Sequence, residues 1–480
     1  MVNQDHSEGE SRRRILQTLG AGAVASVAGC SGDGTTSESP ATSEEPSGAS
    51  PGDASNGEWP DLSGTSVHVV IDGTAQPVRD FWNRVIGEFK KATNADTRLE
   101  FVGKDQGGVQ RVIQLLQAGD PPELFAMNQI DALGFIQEDA LAPLTGVIED
   151  KIEPRVGQIS QNARVEMNGD LWLAPMFFAL AGWYWRGDLA AEVGMDERPE
   201  WTWETTVEYA KKVGELDGSA GTYVPAGPGR HSVNHFLAWL KTNEGSLTDM
   251  NSDRVIVNFD EGTNRTRMVE TLEQLRDLHA HSPVASDSNY GTVAHAIENE
   301  TAASNWFQGY RPKMYAIQNE RSFAADVHCA QMPKKRTQMS DGNIDGLGTF
   351  RGSNVDAART LIDFTLQEKY LLDLYKVNPV HDAPPYPKIR DGEQYQAFLE
   401  GLPSEYTKND TIAYQEEILQ NFTPTGFGGD QVNPYMATVT GSSAIPNLIR
   451  RVLVEDENPD NIIDKHAKEL QSTLDDAQGR

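Results

Sequence analysis

The sequence predicts an α/β protein of two lobes, each a mostly parallel sheet flanked by helices. Three observations carry this. Strand and helix patterns alternate in a β-α-β-α-β order over residues 66–127. A second alternation of the same kind begins after Trp183. The part of the chain with apolar periodicity, everything after residue 58, is also longer than one hydrophobic core normally serves.

The elements follow in order. Residues 66–71 (SVHVVI) form a β-rich run halted by Asp72-Gly73. Phe81, Trp82, Val85, Ile86 and Phe89 then recur at helical spacing over 81–91. Residues 98–102 read as a second strand and 109–118 as a second helix, which Gly119-Asp120-Pro121-Pro122 breaks before a third strand at 124–127. Strands separated by helices in this way need crossover connections, hence parallel pairing. In the second unit helices are predicted at 203–215 and 268–279, with short strands between, and a later helix at 356–366.

Ahead of all this stand Arg12-Arg13, an apolar run over 15–29 and Val27-Ala28-Gly29-Cys30. An arginine pair, a short core of small apolar residues and a terminal cysteine, in that order, resemble a twin-arginine export signal ending in a lipobox. The run is too short and too interrupted by Gln17, Thr18 and glycines to span a bilayer. Cleavage before Cys30 would leave that cysteine as the point of lipid attachment. Residues 31–58 contain no Leu, Ile, Val, Met or aromatic residue, so a disordered Ser/Gly/Glu/Pro tether is predicted there.

The formal net charge is -30, with 41 Lys and Arg against 71 Asp and Glu. Such a surface repels nucleic acid and anionic headgroups, so neither is an expected partner and the membrane is reached through the lipid only. The acids are spread along the chain and Arg outnumbers Lys, which looks like a salt-adapted, haloarchaeal-type proteome. There are two cysteines, Cys30 and Cys329; with the first lipidated the second has no intrachain partner and reads as a small buried hydrophobe.

A series of local motifs then runs colinearly through the chain. Gly119-Asp120-Pro121-Pro122-Glu123-Leu124-Phe125 is followed by Asn168-Gly169-Asp170-Leu171-Trp172-Leu173-Ala174-Pro175 and Trp183-Tyr184-Trp185-Arg186-Gly187-Asp188-Leu189. Pro199-Glu200-Trp201-Thr202-Trp203-Glu204 comes next, with Thr202 placed to cap a helix and Trp203 to pack inward. Leu240-Lys241-Thr242-Asn243-Glu244-Gly245, Glu300-Thr301-Ala302-Ala303 and Asn458-Pro459-Asp460-Asn461 complete the series. Together these resemble the solute-binding proteins of ABC sugar importers, the family that includes maltose-binding protein.

The resemblance implies a two-lobe periplasmic-binding-protein-like fold of type II with a three-crossing hinge. Crossings would fall near 179–182, 346–350 and 379–385; lobe one would be 59–181 with 348–385 and lobe two 182–347 with 386–480. It implies a monomeric receptor, not an enzyme and without a cofactor, that binds a carbohydrate between the lobes and hands it to the transmembrane subunits of an ABC permease. A ligand touching both lobes selects the closed state. Sugar sites pair aromatic platforms with amide and carboxylate hydrogen-bonders. The matching positions are Asp72, Thr74, Asp105, Asn128 and Gln129 in lobe one, at carboxyl ends of strands. In lobe two they are Asn234, His235, Trp306 or Tyr310 after the strand at Ala302-Ala303, and Tyr435, with Phe427 as its alternative. Ala179 and residues 127–130, with Asp131 nearby, replace the maltose-type glutamate and acidic loop, so maltose itself is not implied. Trp183 and Trp185 are expected in the core.

Two other classes stay open at this level. Arg186, Arg230 and His231 keep a phosphate ester such as glycerol-3-phosphate within reach, and a secreted glycoside hydrolase would need only two carboxylates across a cleft. No His-Glu-x-x-His, Gly-x-Ser-x-Gly or Walker motif is present. Asp341-Gly342-Asn343-Ile344-Asp345-Gly346 opens like a calcium loop, but its twelfth position is Gly352, which removes the bidentate ligand and favours a polar turn.

Overall fold

Val67, Val69, Val70 and Ile71 are all buried, which is why strand β1 (Ser66–Asp72) lies inside a sheet covered on both faces. Helix α1 (Gln76–Thr93) buries the predicted stripe from Phe81 to Phe89. It starts earlier than the apolar period indicates, because Pro77 in its first turn has no N–H to leave unsatisfied. Asn94, in the left-handed conformation at φ 59, ends it. Strand β2 (Asp96–Val102), helix α2 (Gly107–Ala118) and strand β3 (Leu124–Asn128) follow, and β1 pairs in parallel with both β2 and β3. The protein is described by a computed structural model over residues 59–480, except 104–106, 217, 252–253, 284–288 and 429–430. The predicted export signal, Cys30, the tether and Asp105 lie outside the described residues. Among the described residues no helix is long and apolar enough to cross a membrane.

After helix α3 (Gln129–Gln137) and the short strand β4 (Leu141–Ala142), the chain enters the long, almost wholly buried strand β5 (Ala174–Arg186). Helices α4 (Trp203–Gly214), α5 (Arg230–Thr242) and α6 (Gly262–His279) build the second lobe. Strand β6 (Ser304–Gln308), helix α7 (Arg311–Gln318) and strand β7 (Val327–Ala330) complete its sheet. Strand β8 (Gly342–Phe350) then returns to the first lobe, followed there by helices α8 (Val355–Thr365) and α9 (Glu368–Val377). Helix α10 (Met436–Gly441) lies against α3 of the first lobe as well as α5 of the second, and helices α11 (Ala444–Leu453) and α12 (Pro459–Ala477) pack on the second lobe.

Among the described residues one sheet of eight strands serves both lobes, in the order β6-β5-β8-β3-β1-β2, with β7 on β5 and β4 on β8. The first half of β5 pairs antiparallel with β8, from Ala174↔Leu347 to Leu180↔Gly342. Its second half pairs antiparallel with β6 and β7. Pairing is therefore parallel where crossover helices connect strands and antiparallel where β5 and β8 enter one lobe from the other. The predicted strand at Ala302-Ala303 begins at Ser304 instead, Ala302 making only an isolated bridge to Ala220, so Trp306 lies within the strand rather than beyond it.

The second-lobe core confirms several local readings. Thr202 and Thr205 cap α4 reciprocally: the Thr202 hydroxyl accepts from the Thr205 N–H at 3.2 Å, and the Thr205 hydroxyl from the Thr202 N–H at 2.7 Å. Trp203 packs inward and donates to the Thr242 hydroxyl at 3.0 Å. Trp183 and Trp185 are buried against Trp201, with ring centroids 5.8 and 5.0 Å away. Cys329 is buried and free, its thiol pushed up by burial. The segment that opens like a calcium loop is not a loop: Gly342 starts β8, and the buried Asp341 accepts from Lys241 Nζ at 2.9 Å and the Thr425 hydroxyl at 2.6 Å.

Where β6 ends, three segments meet. The Gly309 N–H donates to the Leu180 carbonyl at 2.8 Å, Tyr184 donates to the Gly309 carbonyl at 2.8 Å, and the Tyr310 N–H donates to His381 Nδ1 at 2.9 Å. Gly309 has φ +96, and a Cβ there would come within 1.9 Å of His381 Cε1. Gly309→Ala is expected to lower stability by about 1–3 kcal/mol, from strained backbone alone, with the clash adding to it. A denaturant-unfolding midpoint equal to that of wild type would show that the junction can give.

One charged cluster is buried inside the second lobe. Lys313 on α7 and Asp410 have fully buried side chains and meet at 2.7 Å, and Lys313 also donates to the Val327 carbonyl at 2.6 Å. Arg198 reaches the same carboxylate at 2.9 Å, and His328 Nδ1 lies 3.4 Å from it.

Candidate functional site

A cavity of about 400 Å³ lies between the lobes, within the range of small-molecule sites. Its first wall is made where parallel strands end: Asp72 closes β1 and Asn128 closes β3, with Ile130 and Asp131 in the first turn of α3. Asn128 is held by its own position, since its side-chain oxygen caps α3 by accepting from the N–H groups of Ile130 and Asp131 at 2.9 and 3.1 Å. The shared strands supply Phe177 and Ala179 from β5 and Asn343 and Asp345 from β8.

The opposite wall is the start of α5. Gly229, Arg230, His231 and Asn234 line it; no side chain caps this helix, and although the Ser232 N–H donates to the Gly229 carbonyl at 3.2 Å, the N–H groups of its first two residues have no partner within the helix. Asn234 donates to Gln308 Oε1 at 3.2 Å, while its own oxygen is buried without a protein partner. His231 Nε2 is likewise buried without one. Burial pulls the His231 pKa down to about 4, so its ring is neutral near pH 7. Asn289 and Tyr290 close one side, and Thr440, Ser442 and Asn447 the other. Arg230 Nη1 meets Asp131 Oδ1 at 2.9 Å across the cavity.

Asp72, Asn128 and Asn234, of the residues read from sequence, are brought together here. The others are placed elsewhere. Thr74 is exposed, its carbonyl accepting from Arg79 Nε. Gln129 is fully buried behind the wall, accepting from the Ile344 N–H at 2.9 Å and donating to the Gly342 and Thr425 carbonyls at 3.3 Å; it ties the strand crossing together. His235 is buried behind Asn234 and accepts from Trp239 Nε1 at 2.9 Å, with its pKa held far down by burial and by His231. Trp306 has no exposure; its ring lies 5.3 Å from His231 and 5.4 Å from His235, one layer beneath the wall. Tyr310 is buried among Tyr184, Tyr406 and Tyr414. Tyr435 is half-buried just before α10 and outside the lining, and Phe427 lines a separate cavity of about 300 Å³. Asp105 lies outside the described residues.

Sequence reasoning missed Tyr290, Gln308, Asn343 and His381 as lining residues. Tyr290 is the half-buried aromatic of the set, its ring 4.9 Å from Phe307. The one local signal near it is the Asn289–Thr292 capping box that starts its short helix, and this marks a turn rather than a platform. What the assembled groups can do is bind: amide donors and acceptors, helix N–H groups and two aromatic faces suit a ligand that both gives and takes hydrogen bonds.

A family model described as bacterial extracellular solute-binding protein matches residues 75–370. No curated protein matches the chain by sequence. Several solved structures match by shape. An ABC transporter solute-binding protein from Thermotoga lettingae TMO, bound with alpha-D-tagatose, superposes with a TM-score of 0.70 at 15% identity, over 85% of this chain and 100% of that one. Maltose-bound MalE3 of T. maritima gives 0.67 at 18% identity, over 85% and 99%. The GacH receptor of Streptomyces glaucescens GLA.O, solved unliganded and with acarbose, gives 0.67 at 14% identity, over 86% and 98%. At these identities the likeness establishes the fold, a two-lobe type II periplasmic-binding-protein-like architecture. Because the family model spans more than half of the sequence, and does so across both walls of the cavity, the chain belongs to the bacterial extracellular solute-binding protein family, whose members bind and do not catalyse.

Proposed function

We propose that this protein is the extracellular receptor of an ABC importer, binding a carbohydrate in the cavity between its lobes and delivering it to the membrane permease subunits. The observation that carries the reading is the buried Asn234 oxygen, an acceptor without a protein partner set beside uncapped helix N–H groups. A hydroxyl satisfies both at once, donating to the first and accepting from the second. Tyr290 and Phe177 offer the flat faces against which sugar C–H groups pack. A tagatose-, maltose- or acarbose-sized ligand, of the kind held by the structural relatives, is the class to test first. The arginine pair and the cysteine at position 30 support twin-arginine export and lipid anchoring at the outer face of the membrane.

Within this reading, lobe one is 59–181 with the return of the chain to 385, and lobe two is the remainder. The second crossing is best set just before Gly342 rather than at 348, because Asp345 to Gly348 pair with Asn128 to Phe125 of β3. The third is supported by the Phe178↔Ala383 bridge.

Asn234→Leu is expected to weaken sugar binding by about 1–2 kcal/mol, the usual cost of losing hydrogen bonds at a buried site. Tyr290→Ala is expected to have an effect of similar size, by loss of aromatic packing. Thr74→Ala, exposed and off the cavity, should leave affinity unchanged. Titration calorimetry of the three variants against a panel of mono-, di- and oligosaccharides checks this. Wild-type affinity in Asn234→Leu would move the ligand away from α5, and silence of the folded wild type toward the whole panel would point to a different solute.

A further inference from the structure

Arg230 sits where helix physics does not want it. It is the first residue of α5, and a cation at a helix N-terminus is disfavoured by the macrodipole. Asp131 is its mirror image: a carboxylate in the first turn of α3, where the dipole favours it. The position of Arg230 is explained by the opposing acid, which it meets at 2.9 Å with side-chain exposures of 23% for Arg230 and 11% for Asp131. Asp131 belongs to the helix that leaves β3 in the first lobe, and Arg230 to a helix of the second, so the pair joins the two cavity walls directly from protein to protein. No ligand atom is needed as an intermediary.

The same contact settles what Arg230 can offer. Among the described residues that line the cavity, it carries the single Lys or Arg charge. A phosphate or carboxylate on a ligand could use that guanidinium only by displacing Asp131, leaving a largely buried carboxylate unpaired beside the incoming anion. An uncharged ligand has no such conflict and leaves the pair intact while the lobes close around it. Anion binding and the interlobe pair therefore exclude one another.

We infer that Asp131 is a specificity-determining residue: through Arg230 it latches the two lobes together, and by occupying that guanidinium it bars anionic ligands from the cavity. The exclusion of anions rests on the proposed binding of carbohydrate in this cavity; the latch does not.

The test uses the full chain, shown to be folded by circular dichroism, at one fixed ionic strength and without added sugar. Small-angle scattering of Asp131→Asn is expected to give a larger radius of gyration than wild type. The charge-swapped Asp131→Arg, Arg230→Asp double variant is expected to return it to the wild-type value, which a merely destabilising substitution would not do. Calorimetry with inorganic phosphate as the probe is expected to show binding at least tenfold tighter in Asp131→Asn than in wild type. An unchanged radius in Asp131→Asn, or no gain in phosphate binding, overturns the inference. Failure of the carbohydrate reading would show separately, as silence of wild type toward neutral sugars, while the scattering and phosphate results still report on Asp131.

Discussion

Asp410→Ala is expected to destabilise the protein by about 3–5 kcal/mol, because it leaves the Lys313 ammonium buried with its counter-charge gone. Lys313 has no exposed side-chain surface, and the Val327 and Ala325 carbonyls, which remain, bring partial charge only. Arg198 and His328 converge on the same carboxylate, so three basic groups lose one partner together. A double replacement by Leu at 410 and Met at 313 should cost less than the single change, since it removes both charges. Urea unfolding of the three proteins checks this; a single variant within 1 kcal/mol of wild type would mean that water reaches Lys313.

The cluster also fixes a pH dependence. Burial alone would raise the Asp410 pKa, but the hydrogen bond with His328 and the charge and hydrogen bond of Lys313 outweigh it and hold the carboxyl well below its ordinary range. A carboxyl whose folded pKa lies below the unfolded one, about 3.9, binds fewer protons when folded. Its contribution is therefore fully present above that value and is lost as pH falls below it toward the folded pKa. The wild type should lose more stability than Asp410→Asn as pH is lowered through 4.

Trp306→Ala is expected to cost about 3–5 kcal/mol of stability, the usual range for removing a fully buried tryptophan. Its backbone pairs with Trp183 of β5, and its ring supports His231 and His235 from beneath. Affinity should fall too, but as a consequence, through a displaced His231. Trp306→Phe should recover most of both. A loss of affinity with an unchanged unfolding midpoint would instead put the ring against the ligand.

The contrast between Trp306 and Asn128 shows what sequence could and could not convey. Asn128 ends a strand, starts a helix and caps it, three local facts that place it at a crevice edge without knowledge of the other lobe. Asp72 is readable from the first of these facts alone, since it ends β1. Gln129, one residue on, looks equivalent in sequence, yet it turns under the wall to bond with Gly342 and Thr425, residues distant in the chain. Strand β6 is buried at all five positions, so no alternation reveals a face. Trp306 and Gln308 share a side of that strand, and only the depth of packing decides that Gln308 reaches the cavity and Trp306 does not. Tyr290 becomes a wall only because Phe307 and His231 pack beside it after folding.

The antiparallel pairing of β5 with β8 has a mechanical meaning. Six β5 residues between Ala174 and Leu180 are paired with the strand that returns the chain, and β5 continues without a break into the sheet of the other lobe. Sliding one strand along its neighbour by a single residue would turn every side chain of the ribbon to the wrong face, so translation of the lobes past each other is blocked. Bending across the ribbon, where the chain crosses ahead of Gly342, breaks no such register. The protein is thus left one cheap degree of freedom, a swing about an axis through the floor of its own cavity.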